Sequence, residues 1–386
     1  MRIFGTMGLA GAKNKSLGLA LIWGLALSPL VGPAVSHAGE AELKAEIDRL
    51  WDKLAEMEVV RGAAAEAGAG PSWADRVTLS GVVEVEAGFN DGIMGDDTVA
   101  ESDIALATME LAVDAEISEF SAAHVLFLYE DEENDNLRLD EATITLGQVN
   151  PLYLTAGRMY VPFGDYTSRM ISDPLTLEMG ETREDALLVG VKAAGFHASL
   201  YAFNGAVDNG GDDEIEHFGA TAGFAFESET ASVDVGAGWI SNIRDSDGIS
   251  GAPGGGPIVG GDYIAGYAAH LLTTLGPVTL IGEYVGADDE INGPGTNSRI
   301  SAYGVEAGVS FPLAGKEGSF AVGYQLSDEA QWAGLPERRI VATLAAEIFA
   351  GTALALEWRN DEDYDLADDG TGTDWTAYTL QLAAEF

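Results

Sequence analysis

The chain of 386 residues has no cysteine. This excludes a disulfide framework, a thiolate zinc site and covalent haem attachment through CxxCH, so stability has to come from the fold itself. Cations are scarce too: 19 Lys and Arg stand against 63 Asp and Glu, a formal charge of −44. Such a balance repels nucleic acid and anionic membrane surfaces and draws cations. Beyond the N-terminal segment no run of about eighteen apolar residues occurs, so no transmembrane helix is expected there. Disorder does not follow from the acidity, because 47% of the residues are hydrophobic and aromatics are plentiful.

What is present begins with an export signal. Arg2, Lys13 and Lys15 precede LGLALIWGLALSPLVGPAV, and Ser36-His37-Ala38 closes the run as a small-x-small triplet with no acid before it. Residues 1–38 therefore read as a secretory signal peptide cleaved after Ala38, and Pro29 and Pro33 argue against a retained anchor. Removing its three cations leaves 16 against 63 acids, about −47. Residues 39–61 carry Leu43, Ile47, Leu50, Leu54 and Met57 at spacings of four and three, the seam of a short coiled coil. So short a helix is marginal alone in water, so it associates with copies of itself or packs on a neighbour. Residues 62–76, rich in Ala and Gly, read as a linker.

From residue 77 to 386 the texture changes to short alternating runs broken by Gly, Asp and Asn. Strands are expected near 77–89, 103–117, 121–130, 137–147, 151–160, 186–194, 195–204, 216–227, 231–242, 262–274, 277–287, 299–312, 318–327, 338–348, 351–360 and 374–386. That is about sixteen, an even number, at the roughly 9 to 11 residues a tilted strand needs to cross a bilayer. Connections alternate in length: SEF, QVN, SET and LGP are short, whereas RDSDGISGAPGGGPIVGG, GADDEINGPGTN and DEDYDLADDGTGT are long. An up-and-down outer-membrane barrel sorts its loops in this way, and a soluble sandwich has no reason to.

The two faces of the strands agree. Val83, Val85, Met109, Leu111, Val113, Phe224, Phe226, Val235, Trp239, Ile340 and Leu344 fall on one face. Glu84, Glu86, Glu110, Asp114, Glu116, Glu141, Glu283, Glu306, Glu347 and Glu357 fall on the other, with few cations among them: Lys192, Arg339 and Arg359. Charges in such consistent register have to face water, and a ring of carboxylates in a pore concentrates cations. Phe89, Tyr129, Tyr160, Trp239, Tyr284, Trp358, Tyr378 and Phe386 gather near strand ends, as interfacial girdles do. The last strand, TAYTLQLAAEF, has Tyr378, Leu380, Leu382, Ala384 and Phe386 on its apolar face. It is expected to close the sheet on the first strand, leaving no edge in lipid. The fold class is thus all-β, a transmembrane up-and-down antiparallel barrel.

The longest connection, VPFGDYTSRMISDPLTLEMGETRED, is the third long one. Asp165, Tyr166, Arg169, Asp173, Glu178, Glu181 and Arg183, with Arg158 just before it, are the candidates for a pore constriction. An external lid or a trimer contact is the alternative. Gly157, Arg158, Pro162, Phe163 and Gly164 match a turn found in phosphate-selective and siderophore porins. With the signal peptide, heptad helix, linker and about sixteen strands, the whole chain resembles the LbtU-type siderophore porins, within the outer-membrane porin superfamily. That resemblance implies passive or receptor-like passage of iron-siderophore without a plug domain, and loop three in the place where general porins narrow the barrel. Clustered Lys and Arg, which a phosphate-selective pore would want, are missing.

Asp245 and Asp247 are weak calcium candidates, since no complete calcium loop surrounds them. His124, His197, His217 and His270 stand on separate strands without a nucleophile signature, so no enzyme and no cofactor are expected. The reading is an outer-membrane porin with a periplasmic N-terminal helix, in contact with lipid and lipopolysaccharide, passing small solutes and preferring cations, with ferric siderophore as the family-level suggestion. A non-selective diffusion porin, or a barrel sheathing a partner such as a cytochrome, is the alternative. Trimerisation follows from the porin analogy and the heptads.

Overall fold

A computed structural model describes residues 73–94, 97–131, 136–147, 151–205, 215–252, 262–292 and 297–386. The signal peptide, the heptad helix and most of the linker expected from the sequence lie outside the described residues. The strands are β1 (Val77–Met94), β2 (Asp97–Ser118), β3 (Ser121–Glu130), β4 (Arg138–Leu146), β5 (Leu152–Tyr160) and β6 (Arg183–Ala193). Next come β7 (Phe196–Phe203), β8 (His217–Glu227), β9 (Ala231–Ile240), β10 (Gly266–Leu275) and β11 (Val278–Ala287). A two-residue pair, β12 (Ile291–Asn292) and β13 (Asn297–Ser298), decorates a loop. The series ends with β14 (Ser301–Leu313), β15 (Lys316–Asp328), β16 (Arg338–Phe349), β17 (Thr352–Glu362) and β18 (Asp374–Glu385).

All of these except β12 and β13 form one closed ring, each strand beside its neighbours in sequence, with β1 paired to β18. It is a sixteen-stranded antiparallel barrel. Closure is antiparallel from Val82↔Glu385 to Gly92↔Trp375, and Gly81 and Phe386 exchange backbone hydrogen bonds at its end. No sheet edge is left where water is absent to satisfy it.

The turns at one end are as tight as the sequence promised. Ala194-Gly195 and Ala314-Gly315 join their strands with both residues at positive φ, as two-residue hairpin turns require. At the other end the connections are long. One expectation changes there: residues 90–94 and 97–102, read as loop, continue β1 and β2 as a hairpin. Beyond the membrane both faces of a strand meet water, so pairing persists without the alternation that marks a strand in sequence.

Pleat and register then sort the side chains. Leu79, Val85, Phe89, Leu280, Tyr303, Phe320, Val322, Leu344, Leu356, Leu380 and Leu382 are exposed on the outside of the ring. On a water-facing surface so continuous an apolar belt would be a liability; against lipid it is the requirement. Trp239, Tyr284, Trp358, Tyr378 and Phe386 are also exposed on this face. Tyr160 departs from the girdle reading: its hydroxyl donates to Asp140, which is 1% exposed and also takes Arg138 and Arg183 as partners.

The seam offers a test. A Cβ on Gly81 would lie 2.6 Å from the Glu110 carbonyl oxygen and 2.7 Å from the Phe386 ring, whereas one on Gly282 would meet nothing within 4 Å. Gly81→Val is expected to cost about 1–3 kcal/mol through overpacking. Heat-modifiable gel migration should show a lowered unfolding temperature for it and none for Gly282→Val.

Candidate functional site: the lumen and its inward loop

The β5–β6 connection folds into the barrel. Val161, Phe163, Met170, Leu175 and Met179 are at most 4% exposed, and a short helix, α1 (Leu175–Gly180), forms near its end. A chain lying inside a barrel has backbone N–H groups without strand partners, and each needs an acceptor. Lumen-facing carboxylates supply them. Glu283 on β11 accepts from the backbone N–H of Asp165 at 3.1 Å and Tyr166 at 2.9 Å, and from the Thr176 hydroxyl at 2.7 Å. Glu306 on β14 accepts from the Ser168 hydroxyl at 2.7 Å and the Arg169 N–H at 3.0 Å. Glu357 on β17 accepts from the N–H groups of Ile171 at 2.5 Å and Ser172 at 3.0 Å. Gln325 on β15 takes the Leu175 N–H at 3.1 Å.

These anchors lie on one arc of the ring, on β11, β14, β15 and β17, with β16 between the last two. The loop leaves β5, passes Gly238 on β9, where the Phe163 carbonyl occupies the space of a side chain, and follows the wall round to β17. It returns through α1, whose Glu178 carbonyl sits on Gly248 in the helical turn α2 (Asp247–Ser250). The Asp247 N–H donates to the Glu181 carbonyl at 2.8 Å, closing the circuit beside β6. Arg339 on β16 ties α1 to the wall: it donates to the Asp173 carbonyl at 2.8 Å and Glu178 at 2.9 Å while paired with Asp361. Arg359 lies 4.6 Å from the Trp375 ring centre.

The register decides where each predicted residue stands. Glu84, Glu86, Glu110, Asp114, Glu116, Glu141, Glu283, Glu306, Glu347, Glu357, Lys192, Arg339 and Arg359 share the inward parity. They are two populations, however. Glu283, Glu306 and Glu357 hold the loop, so they are not free members of a cation-drawing ring. Glu84, Glu86, Glu110, Asp114 and Glu116 lie on β1 and β2, where no hydrogen bond of loop three is seen among the described residues; Glu86 accepts from Gln381 at 2.8 Å and Asp114 pairs with His124. Lys192 lies over the Tyr153 ring at 5.7 Å. Sequence reading missed the anchoring role because nothing in a lone alternating Glu says which backbone will come to it.

Arg158, which the blurred alternation leaves free to face either way, stands in the outward row and not among the constriction candidates. Its register partners are Ala142 and Asp185, in the outward row of Ile144, Leu187 and Val189, and it pairs with Asp185 at 3.0 Å on the outside of the barrel. The positive φ of Gly157, directly before it, is what blurs the alternation there. Within the loop, Arg169 reaches the Ser310 hydroxyl at 3.3 Å, Asp165 is exposed, and Tyr166 adopts φ 58° against Gly164 and Gly180. Asp245 is paired with buried His217 at 3.0 Å and with Asn242, and Asp247 accepts from the Arg183 N–H. Among the described residues no group of three or more His, Asp or Glu is placed where it could hold a metal ion.

Burial pushes the Glu181 carboxyl up to about 8, with the Asp173 and Asp247 charges adding to it, and burial pushes Asp247 up to about 6. Both acids keep their proton in the packed loop at pH values where an unpacked chain has lost it. Packing is therefore fully favoured below the ordinary carboxylate range and weakens as pH rises through it, until about 6 for Asp247 and about 8 for Glu181. Proteolysis of loop three in the folded barrel should be slowest at about pH 4 and rise to a plateau above about pH 8, and Glu181→Gln should remove the upper part of that rise. Glu283→Ala, which leaves two backbone donors and a hydroxyl unpaired at about 1–3 kcal/mol for each group, should free the loop and raise single-channel conductance.

No family model matches the chain. It is similar to a UPF0422 protein of Coxiella burnetii, 28% identical over 316 residues, covering 78% of this chain and 67% of that one. A UPF0422 protein of Legionella pneumophila strain Philadelphia 1 is 30% identical over 331 residues, covering 77% of this chain. The match spans about three fifths of that relative, 61% of its length. Among solved structures, the outer membrane channel DcaP of Acinetobacter baumannii aligns with TM-score 0.55 at 14% identity, over 80% of this chain and 97% of that one. The anion-selective porin of Comamonas acidovorans aligns with TM-score 0.56 at 15% identity, over 80% and 99%. OprB of Pseudomonas putida aligns with TM-score 0.55 at 10% identity, over 81% and 94%. At these identities the likeness is one of fold: a porin-like barrel.

Proposed function

We propose that this chain is a channel of the bacterial outer membrane that passes small hydrophilic solutes and prefers cations. The observation that carries the reading is the sidedness of the lumen. The hydrogen bonds of loop three to the wall run from β11 to β17, and among the described residues none is seen on β1 or β2, where Glu84, Glu86, Glu110, Asp114 and Glu116 share the inward parity. Water and solute pass along the wall at β1 and β2. Glu86, Glu110, Asp114 and Glu116 set the local potential there, and a low-dielectric wall focuses it on whatever shares the passage. The porin-like fold and the apolar belt support the outer-membrane location. The periplasmic helix and a trimer belong to the same reading and rest on the heptads and on porin analogy.

Iron-siderophore passage is the narrower form of the proposal. It rests on the resemblance to siderophore porins and on the Pro162-Phe163-Gly164 entry to the inward loop. An acidic passage favours siderophores carrying net positive charge over anionic ones.

Planar-bilayer recording across a salt gradient tests both levels. The zero-current potential is expected to favour potassium over chloride, and the combined Glu86→Gln, Glu110→Gln and Asp114→Asn substitutions should lower that preference severalfold. A potential favouring chloride would overturn the cation reading. Block by a cationic ferric siderophore, with indifference to an anionic one, is expected of the narrower form; indifference to both would leave a general porin.

A further inference from the structure

We infer that loop three carries a carboxylate-binding foothold, built from Arg169 with Ser310 of β14, for a solute that joins a carboxylate to a cationic group. Arg339 and Arg359, which also face the lumen, are answered by acids: Arg339 by Asp361 and Glu178, Arg359 by Asp361. Arg169 is not. Among the described residues no carboxylate is in ion-pair contact with its guanidinium, and Glu306, the acid beside it, is taken by the Ser168 hydroxyl and the Arg169 backbone N–H. Arg169 Nη2 donates to the Ser310 hydroxyl at 3.3 Å, and its Nε is buried with no hydrogen-bond partner. A charge drawn out of water is normally paired, and in a chain with 63 acids the lack of a partner here stands out.

The fold also fixes where this guanidinium lies. A Cβ on Gly308 would be 2.7 Å from both Cδ and Nε of Arg169, so the stem rests on β14 in space that any other residue would fill. Register surrounds it with neutral groups: Gly308 pairs with Thr279 and Ala321, and Ser310 with Ser319. Arg169 as a whole is only half-buried, so with Nε covered and Nη2 on Ser310 the remaining edge of the fork, Nη1, is open to the lumen. A guanidinium edge beside hydroxyls suits a planar carboxylate, which it can hold through two parallel hydrogen bonds. A phosphate monoester, with a charge of about −1.5 to −2 near neutrality, would want a second cation. The acidic wall at β1 and β2 turns away solutes of net negative charge, so the carboxylate has to travel with a cationic group, as in an amino acid. That last step rests on the cation-preferring passage proposed above; the foothold at Arg169 does not.

Uptake into proteoliposomes tests it with three probes: glycine, which carries both groups, glycinamide, which has the amine alone, and acetate, which has the carboxylate alone. Glycine uptake is expected to saturate with concentration and to exceed that of acetate. Arg169→Gln should lower the ratio of glycine to glycinamide uptake about tenfold, as the loss of one charge-assisted hydrogen bond does. Arg169→Lys, which keeps the charge without the fork, should fall between. Heat-modifiable migration confirms that each variant is folded. An unaltered ratio in Arg169→Gln would overturn the foothold, and so would equal gains for both solutes, since Arg169 would then only prop the loop. The zero-current potential, recorded on the same preparations, separates the two readings. A potential favouring chloride, with acetate uptake that saturates and depends on Arg169, would overturn the cationic half of the solute and the passage reading while the foothold stands.

Discussion

A polypeptide inside hydrocarbon has no water to satisfy its backbone, and that constraint runs through this molecule twice. In the wall it forces a ring: sixteen strands share every lateral hydrogen bond, and β1 meets β18 so that neither has an edge. In the lumen it returns in another form. Loop three lies against a wall whose own backbone is already paired, so its N–H groups turn to side chains. Glu283, Glu306, Glu357 and Gln325 are the acceptors, spaced round the wall as a set of pegs.

The carboxylates of the lumen therefore do two different jobs according to what faces them. Where the loop lies, negative charge is bound up in charge-assisted hydrogen bonds to backbone, each stronger than a neutral pair. On β1 and β2, where no hydrogen bond of the loop is seen among the described residues, the proposed passage takes its field from the same residue type. A composition of 63 acids against 19 cations looks like one property of the chain, but the fold divides it. Arg339 shows the same economy, holding α1 through the Asp173 carbonyl and Glu178 while its charge is balanced by Asp361.

Much of the wall was legible in the sequence because lipid on one side and water on the other impose a period of two. Val83 and Glu84, or Leu356 and Glu357, could be assigned to faces from alternation alone. The period of two is lost where that two-sided solvent ends. β1 and β2 continue past their predicted ends into water, and Arg158 follows a glycine at φ 132° that breaks the count and turns it outward. The inward fold of loop three was open between two readings, since a segment rich in both charge and apolar residues fits a lid as well as a constriction. What settles it lies at long range: Phe163 against Gly238 and Ile171 beside Ala345 and Ala355, contacts between residues about two hundred positions apart or fewer that no local pattern encodes. Likewise Arg169 read as one charge of a constriction until the fold laid its stem on Gly308 without an acid in ion-pair contact.

The lack of native cysteine makes the central claim directly measurable. Ile171→Cys paired with Ala355→Cys, on a buried contact between the tip of loop three and β17, should form a disulfide readily in barrels assembled in native outer membranes. Ile171→Cys paired with Asp114→Cys, on the acidic wall, should not. Crosslinking to Ala355 alone, with conductance retained, is the result the account requires. Efficient crosslinking to Asp114, or to neither position, would mean that the carboxylates do not hold the loop to one wall and that the acidic passage is not the path.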